Sequence, residues 1–528
     1  MLHLQNISYI HPNKDLLFEQ ISFTVNHLGK IALIGNNGVG KSVLLRIIAS
    51  ELHASAGRLE AEAQAYYVPQ VFGQYNHLSI AQALNIEKKL YALKAILKGE
   101  VTLENYALLN DDWSIEERCT QALEYWQLSD LDLEQKMETL SGGQKTKVFL
   151  AGVSIHQPAL VLLDEPSNHL DTAGRQLLYD FIESAKCTLL VVSHDRKLLN
   201  LLEAIYELTK KGVAIYGGNF DFYVQQKQIE ANALIQDIQS KEKALRKARE
   251  KERETAERQQ KLNARGKKKQ VQTGMPKIMM GKMKNDSENN SSRLKGVHDE
   301  KISGISRELH ELRSALPDID KMRFGFDNSS LHKGKILVEA SGINYAYGST
   351  FLWTENLTFL IRSGERIVLR GLNGSGKTTL IRLILGDAEP QTGTMKRAAN
   401  KTVYIDQDYS LIDNELSVYE QAQQFNVSAL QEHDIKIRLS RFLFWREDWD
   451  KPCRALSGGE RMRLMICCLT INKQAPDIIV LDEPTNNLDI QNIEILTASI
   501  NEYRGTLVVV SHDESFLEQV NVERTIQL

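Results

Sequence analysis

One Gly-rich pattern occurs twice in this chain, in the same local setting, and that duplication constrains the fold more than any bulk property. The first copy is Gly35-Asn36-Asn37-Gly38-Val39-Gly40-Lys41-Ser42 and the second is Gly371-Leu372-Asn373-Gly374-Ser375-Gly376-Lys377-Thr378. Each follows an apolar strand-like run (Ile31 to Ile34; Ile367 to Leu369) and precedes a helix-like run (Leu44 to Ala49; Leu380 to Leu385). Strand, loop and helix in that order form the context in which such a loop cradles phosphate. The glycines let the backbone curl so that its N–H groups converge on the β-phosphate, helped by the helix N-terminus. Lys41 and Lys377 then reach the β- and γ-phosphates. Ser42 and Thr378 offer a hydroxyl to Mg²⁺, and Thr379 completes the phosphate-binding set of the second copy.

Further along, each half has an apolar run that ends in acid, Leu160-Val161-Leu162-Leu163-Asp164-Glu165 and Ile478-Ile479-Val480-Leu481-Asp482-Glu483. A strand buried on both faces has this continuous character, and its C-terminal end is where open α/β sheets bind ligands. Asp164 and Asp482 are candidates to hold Mg²⁺ through water, and Glu165 and Glu483 to orient or deprotonate an attacking water. Between loop and acids lie Ser141-Gly142-Gly143 and Ser457-Gly458-Gly459, small residues at a helix start that make a second anion site. Each half already has a loop for its own nucleotide. The economical reading is that each of these signatures covers the γ-phosphate bound by the other half, with two ATP held head-to-tail.

These motifs resemble the ATP-binding cassette superfamily. The remaining family motifs match in order: Gln70 and Gln407 after strands, like the Q-loop; Ser167 to Asp171 and Thr485 to Asp489, like the D-loop; His194 and His512, like the switch histidine. The resemblance implies that the histidines contact the γ-phosphate and that Gln70 and Gln407 join the Mg²⁺ sites. It also implies an aromatic stacked on each adenine; Tyr347 fits in the second half, and either Tyr9 or His11 in the first. Asp164 to His194 and Asp482 to His512 are both 30 residues, which supports duplication. Gln70 to Ser141 is 71 residues and Gln407 to Ser457 only 50, with the surplus near 87–112. That surplus, with Tyr91, Leu93, Ile96 and Leu97 at helical spacing, is either an elaborated helical subdomain or a short protruding arm.

The expected class is therefore α/β, with two tandem P-loop ATPase domains (1–220 and 335–528) joined by a helical hairpin linker (221–325). In the return run of the linker, Ile302, Ile305, Leu309, Leu312 and Leu316 recur at steps of three and four, the seam of a coiled coil. Leu234, Ile238, Leu245 and Ala248 give a weaker stripe on the outgoing run. Between the runs, the tip at 261–296 has ten Lys or Arg against Asp286 and Glu288, a net of +8 in a chain whose total is −4. A cationic point on an acidic body suits a phosphate-rich partner. The bland alternative is a solvated loop, and Asn285 to Ser292 has the composition of disorder. Met279, Met280 and Met283 argue against a purely solvated tip.

Composition excludes several classes. With 42% hydrophobic and 25% charged residues the chain is an ordinary soluble one, and no apolar run approaches a membrane span. The N-terminus starts directly in a strand-like pattern with no signal-peptide pattern. Five cysteines without ligand spacing read as free thiols in a reducing cytoplasm. Two fused cassettes with a charged helical linker and no membrane segment resemble the ABC-F subfamily of ribosome-associated translation factors. That resemblance implies a cytoplasmic monomer with intramolecular cassette pairing that hydrolyses ATP with Mg²⁺. It further implies a linker tip near P-site tRNA and the peptidyl-transferase centre, regulating translation or protecting the ribosome from antibiotics. Lys267, Lys268, Lys269, Lys277, Lys282 and Lys284 are then the candidate contacts to rRNA and tRNA. The alternative is the soluble ATPase component of an ABC transporter, although no feature of a transporter needs a +8 hairpin, and no transporter subunit is expected as a partner.

Overall fold

The structure is a computed structural model. It describes residues 1–528 apart from 211, 274–276, 315–321, 323–331, 333, 349, 373, 399–400, 472–474 and 487. Helical side chains at 259, 263, 264, 266–292, 294, 295 and 314 also lie outside the description. The chain divides into two compact units, one of Met1–Tyr223 with Met322–Leu528 and one of Val224–Lys321.

In the first unit the N-terminal half begins with β1 (Leu2–Ile10), β2 (Leu16–Val25), β3 (Lys30–Ile34), β4 (Ala56–Ala61) and β5 (Ala65–Val68). It continues with β6 (Leu160–Asp164), β7 (Thr188–Val192), β8 (Ala204–Thr209) and β9 (Gly212–Tyr216). Strands β2-β1-β4 form an antiparallel sheet; β5-β6-β7-β3-β8 are parallel, with β9 antiparallel at the edge. The two-residue period of a strand divides the continuous apolar runs between two cores. Ile31, Leu33, Leu160, Leu162 and Leu190 pack towards the antiparallel sheet, against Leu2, Leu4 and Phe18. Ala32, Ile34, Val161, Leu163 and Val191 pack on the opposite face against helices, with Phe149, Trp126 and Leu178. Each of these larger side chains is essentially excluded from water, worth about 1.5–3 kcal/mol apiece. Burial on both faces is why β6 carries no alternation.

The C-terminal half repeats the plan with β10 (Ile336–Asn344), β11 (Ala346–Tyr347), β12 (Thr350–Phe351), β13 (Leu357–Arg362) and β14 (Arg366–Arg370). It is completed by β15 (Thr392–Arg397), β16 (Thr402–Ile405), β17 (Ile478–Asp482), β18 (Thr506–Val510) and β19 (Arg524–Gln527). Here β13-β10-β15 is the antiparallel sheet and β16-β17-β18-β14-β19 the parallel one. The surplus in the first half is two helices, Glu87–Leu97 and Leu103–Leu109. Leu90, Leu93 and Leu109 join the helical core, so this is a subdomain packed onto its cassette, while Tyr91, Leu97 and Leu103 are exposed. Asp112 ties it down, 2.8 Å from Lys89 and 2.7 Å from Arg118. The cysteines are unpaired, and burial raises the Cys119 thiol to about 11.

The second unit is a pair of helices. One runs Phe220–Thr273, 54 residues or about 80 Å, starting in the first unit; the other runs Lys277–Ser314. Ile238 and Leu309 are buried, and Leu234, Leu245, Ala248, Ile302, Ile305 and Leu312 are partly so, which places both apolar stripes on one seam. Leu316 lies outside the described residues. Lys241 pairs with Glu308, and Arg313 with Glu242 at 2.6 Å, which ties the two helices side by side. Exposed pairs of this kind are worth little, about 0–1 kcal/mol, and fix register more than stability. The structure differs from the sequence reading at Asn285 to Ser292, which lies inside the return helix. Helix propensity is a weak prior, and a few unfavourable residues do not stop a helix extended from a packed seam. Replacing Leu309 by Ala should cost the hairpin about 2–4 kcal/mol. Native-state hydrogen exchange should then show faster opening across residues 234–250 and 297–312, with the strands of the parallel sheets unchanged.

Candidate functional site

Both Gly-rich loops leave the C-terminal end of a buried strand and enter a helix, Lys41–Ile48 after β3 and Lys377–Leu385 after β14. Gly40 caps the first helix at φ 103°, and a Cβ there would stand 2.8 Å from Leu17 and the Phe18 ring. Gly376 repeats this at φ 93°. Lys41 Nζ folds over its own loop, donating to Gly35 O at 2.7 Å and Asn36 O at 3.4 Å. Lys377 Nζ donates likewise to Gly371 O at 2.8 Å and Leu372 O at 3.1 Å. Burial lowers the pKa of both lysines. Glu165, Asp489 and Asp164 oppose that at Lys41; Glu483, Asp482 and Asp171 oppose it at Lys377.

The acids sit where β6 and β17 end. Asp164 is buried and accepts from the Tyr67 hydroxyl at 3.0 Å. Asp482 accepts from Tyr404 at 3.0 Å. Burial raises the pKa of both aspartates. The next residue turns out of the strand into left-handed backbone, φ 50° at Glu165 and φ 49° at Glu483. Non-glycine residues rarely adopt this conformation, and it persists where surrounding bonds over-determine it. Here the bond is between strands: Glu165 N–H donates to Val192 O and Glu483 N–H to Val510 O, each at 2.8 Å. Burial pushes the Glu165 carboxyl up to about 8, with Lys41 pulling the other way, and Glu483 up to about 7.

The switch histidines complete each cluster. His194 Nε2 lies 3.2 Å from Glu165 Oε1, and His512 Nε2 3.5 Å from Glu483 Oε1. Burial holds His194 well below its usual value, with Lys41 adding to the effect, and brings His512 down to about 4. A cavity of about 400 Å³ opens over the first cluster, walled by His11, Lys41, Ser42, Gln70, Asp164, Glu165 and His194 among others. Asp164 Oδ1, Glu165 Oε1 and His194 Nδ1 are buried there without a hydrogen bond. A cation lysine and loop N–H groups suit a triphosphate, and a hydroxyl, a carboxylate and an amide oxygen are the hard donors Mg²⁺ takes. The residues fit Mg²⁺ and ATP.

The structure brings the loop, acids and histidine together in both halves. His11 rather than Tyr9 reaches the first cavity, while Tyr9 packs on His11 and Phe18. The Tyr347 hydroxyl is 3.1 Å from Thr379 Oγ1. Gln407 follows β16 as Gln70 follows β5. Ser141 and Ser457 cap helices Gly142–His156 and Gly458–Ile471, in bonds with Gln144 and Glu460. Among the described residues, Ser457, Gly458 and Gly459 are not in the wall of the first cavity. The reach between halves comes instead from the D-loops. Asp489 Oδ2 accepts from the backbone N–H of Asn37 at 2.8 Å, and Thr172 Oγ1 meets His512 Nδ1 at 3.3 Å. Asn373 lies outside the described residues, as do the side chains of Lys267, Lys268, Lys269, Lys277, Lys282 and Lys284. The sequence reading missed Tyr67 and Tyr404; their matched positions, three residues before Gln70 and Gln407, were the available signal.

Comparison with known proteins agrees with this geometry. The ABC transporter family profile matches residues 18–168 and 354–486, one copy over each half. The chain belongs to the ATP-binding cassette family. Two cassettes joined by a helical hairpin make it an ABC-F type ATP-binding protein. It is 27% identical to ribosome protection protein VmlR of Bacillus subtilis over 99% of this chain and 86% of that protein. It is 27% identical to ATP-binding protein Uup of Haemophilus influenzae over 93% of this chain and 73% of that one. A solved structure of RNase-L inhibitor superposes with a TM-score of 0.60 at 20% identity, covering 99% of this chain and 87% of that chain, which shows a shared fold. No described helix is long and apolar enough to cross a membrane.

The contact between cassettes rests on a close approach. A Cβ on Gly459 would lie 2.2 Å from Asn492 Nδ2, and Asn492 Nδ2 holds Asp489 Oδ1 at 2.7 Å. Gly459→Ala should therefore displace Asn492 and Asp489 and cost about 1–3 kcal/mol. A Cβ on Gly142 would meet His169 only at 3.2 Å, so Gly142→Ala should cost less. Denaturation midpoints of the two variants check the order.

Proposed function

We propose that this ABC-F protein hydrolyses ATP to ADP and phosphate at two sites, and that it binds the ribosome while both sites hold ATP. The observation that carries the reading is the pair of complete nucleotide clusters touching through their D-loops within one chain. Its likeness to a protein named as a ribosome protection protein supports the ribosome as partner. A ribosomal partner supports the cytoplasm as its location.

In each site the curled loop and its lysine bind the phosphates, and Glu165 or Glu483 orients a water against the γ-phosphorus. As the water oxygen bonds to phosphorus, its proton passes to the glutamate carboxylate and the bond to the β,γ-bridging oxygen breaks, leaving ADP. Ser42, Asp164 and Gln70, or Thr378, Asp482 and Gln407, would hold Mg²⁺, which would supply charge to stabilise the transferring phosphoryl oxygens. His194 and His512, kept neutral by burial, offer a ring N–H to the γ-phosphate. The signatures Ser141 to Gly143 and Ser457 to Gly459 close over the opposite nucleotide when the cassettes draw together. Tethering holds the halves at high effective concentration, so nucleotide rather than encounter controls closure.

The hairpin is the recognition element. Its basic tip, 261–296, meets RNA near P-site tRNA and the peptidyl-transferase centre, with Lys267, Lys268, Lys269, Lys277, Lys282 and Lys284 on phosphates. The Glu165→Gln/Glu483→Gln double variant should co-sediment with ribosomes in ATP far better than the parent chain. Equal sedimentation would remove the ribosome reading and favour a transporter ATPase. Changing the six tip lysines to Ala in that background should weaken binding and flatten its salt dependence, by a slope of roughly 4–5 if each meets a phosphate.

A further inference from the structure

The two nucleotide clusters are built from matched residues, but the partner cassette meets them differently. After its D-loop aspartate the first cassette has Thr172 and the second has Ile490 at the matching position. Thr172 Oγ1 lies 3.3 Å from Nδ1 of His512, the switch histidine of the opposite cassette. Ile490 packs against the apolar cluster of the first cassette and has no polar atom to offer His194. His194 Nδ1 is buried and has no hydrogen bond.

The next turn repeats the asymmetry. Arg175 follows Asp171 by four residues, and its counterpart after Asp489 is the buried Ile493. The Arg175 guanidinium is itself nearly buried, held by Leu170 O and Asp195 Oδ2 at 3.3 Å each. From there its charge acts on Glu483, His512 and Asp513 of the other cassette. The first cluster meets no such cation from the second cassette's matching helix, Ile490–Glu502, whose corresponding side chain is apolar.

We propose that the two ATP sites are inequivalent, with Thr172 acting across the cassette contact as the positioning residue for His512. The inference rests on the hydrolysis reading above. In a neutral imidazole one ring nitrogen donates and the other accepts, and the bond made by one fixes the role of the other. With the Thr172 hydroxyl donating to Nδ1, the hydrogen sits on Nε2, the nitrogen on the Glu483 side of the ring, where it can donate to the γ-phosphate. His194 receives no such instruction from the partner cassette. The second site therefore hydrolyses only when the cassettes are in contact and is the faster of the two, while the first retains its nucleotide longer.

The test uses the full chain in two single-site backgrounds, Glu165→Gln, which leaves the second site active, and Glu483→Gln, which leaves the first. Steady-state ATPase should be higher in the Glu165→Gln protein. Adding Thr172→Val there should lower kcat about tenfold with KM for ATP nearly unchanged, since orientation rather than binding is lost. Thr172→Ser keeps the hydroxyl and should restore the rate, which a packing defect would not allow. In the Glu483→Gln protein Thr172→Val should change kcat less than about twofold. Equal loss in both backgrounds, a rise in KM with kcat intact, or failure of Thr172→Ser to restore the rate would overturn the inference alone. Absence of ATPase in the parent chain would overturn the hydrolysis reading and this inference together.

Discussion

The active geometry depends on a glutamate held in left-handed backbone at the end of a wholly buried strand. Glu165 and Glu483 leave β6 and β17 at almost the same φ, each pinned by one N–H bond to the last carbonyl of the neighbouring strand. That bond exists only because the sheet is parallel and in register, with Asp164 opposite Val192 and Asp482 opposite Val510. The register in turn rests on two apolar cores that hold the sheet from both faces. Burial then acts on the carboxyl, lifting it out of the ordinary range, while Lys41 pulls against it at Glu165 and Arg175, then Lys377, at Glu483. A charge this far from water keeps its form only beside a partner, which couples loop, acid and histidine into one unit.

The same economy governs how the halves meet. Asp489 caps its own helix with one oxygen and takes the Asn37 N–H with the other, so one carboxylate serves folding and cassette contact together. Through that residue the position of one P-loop is tied to the D-loop of the other half. The helix Phe220–Thr273 starts where Phe220 is buried in the helical core of the first cassette. In the reading offered above, its far end is what the nucleotide state ultimately controls.

Much of this was legible in the sequence, and the reasons differ by element. The loops and acids announce themselves because each needs a fixed residue order next to a buried strand. The hairpin seam was readable from its three-and-four spacing, and Ile238 and Leu309 are its most buried members. The return helix begins at Lys277, inside the 261–296 tip, and runs through Asn285 to Ser292, whose composition signals disorder and hides the helix from a sequence reading. Tyr67 and Tyr404 escaped notice because their roles appear only when β5 is laid beside β6 and β16 beside β17. The contacts that Thr172, Arg175 and Asn37 make with the opposite cassette were invisible for a deeper reason. Their counterparts there, His512, Glu483 and Asp489, are 340, 308 and 452 residues away, and no local pattern encodes how one cassette docks on another.

The central claim is that ATP-loaded cassettes and a basic hairpin act as one ribosome-directed device. Electron cryomicroscopy of the Glu165→Gln/Glu483→Gln chain, trapped with ATP on ribosomes, tests it most directly. The account predicts nucleotide in both sites, Ser141 and Ser457 closed over the opposite phosphates, and density for the 261–296 tip against RNA beside P-site tRNA. A trapped chain whose tip stands in solvent, with only its cassettes touching the ribosome, would contradict it.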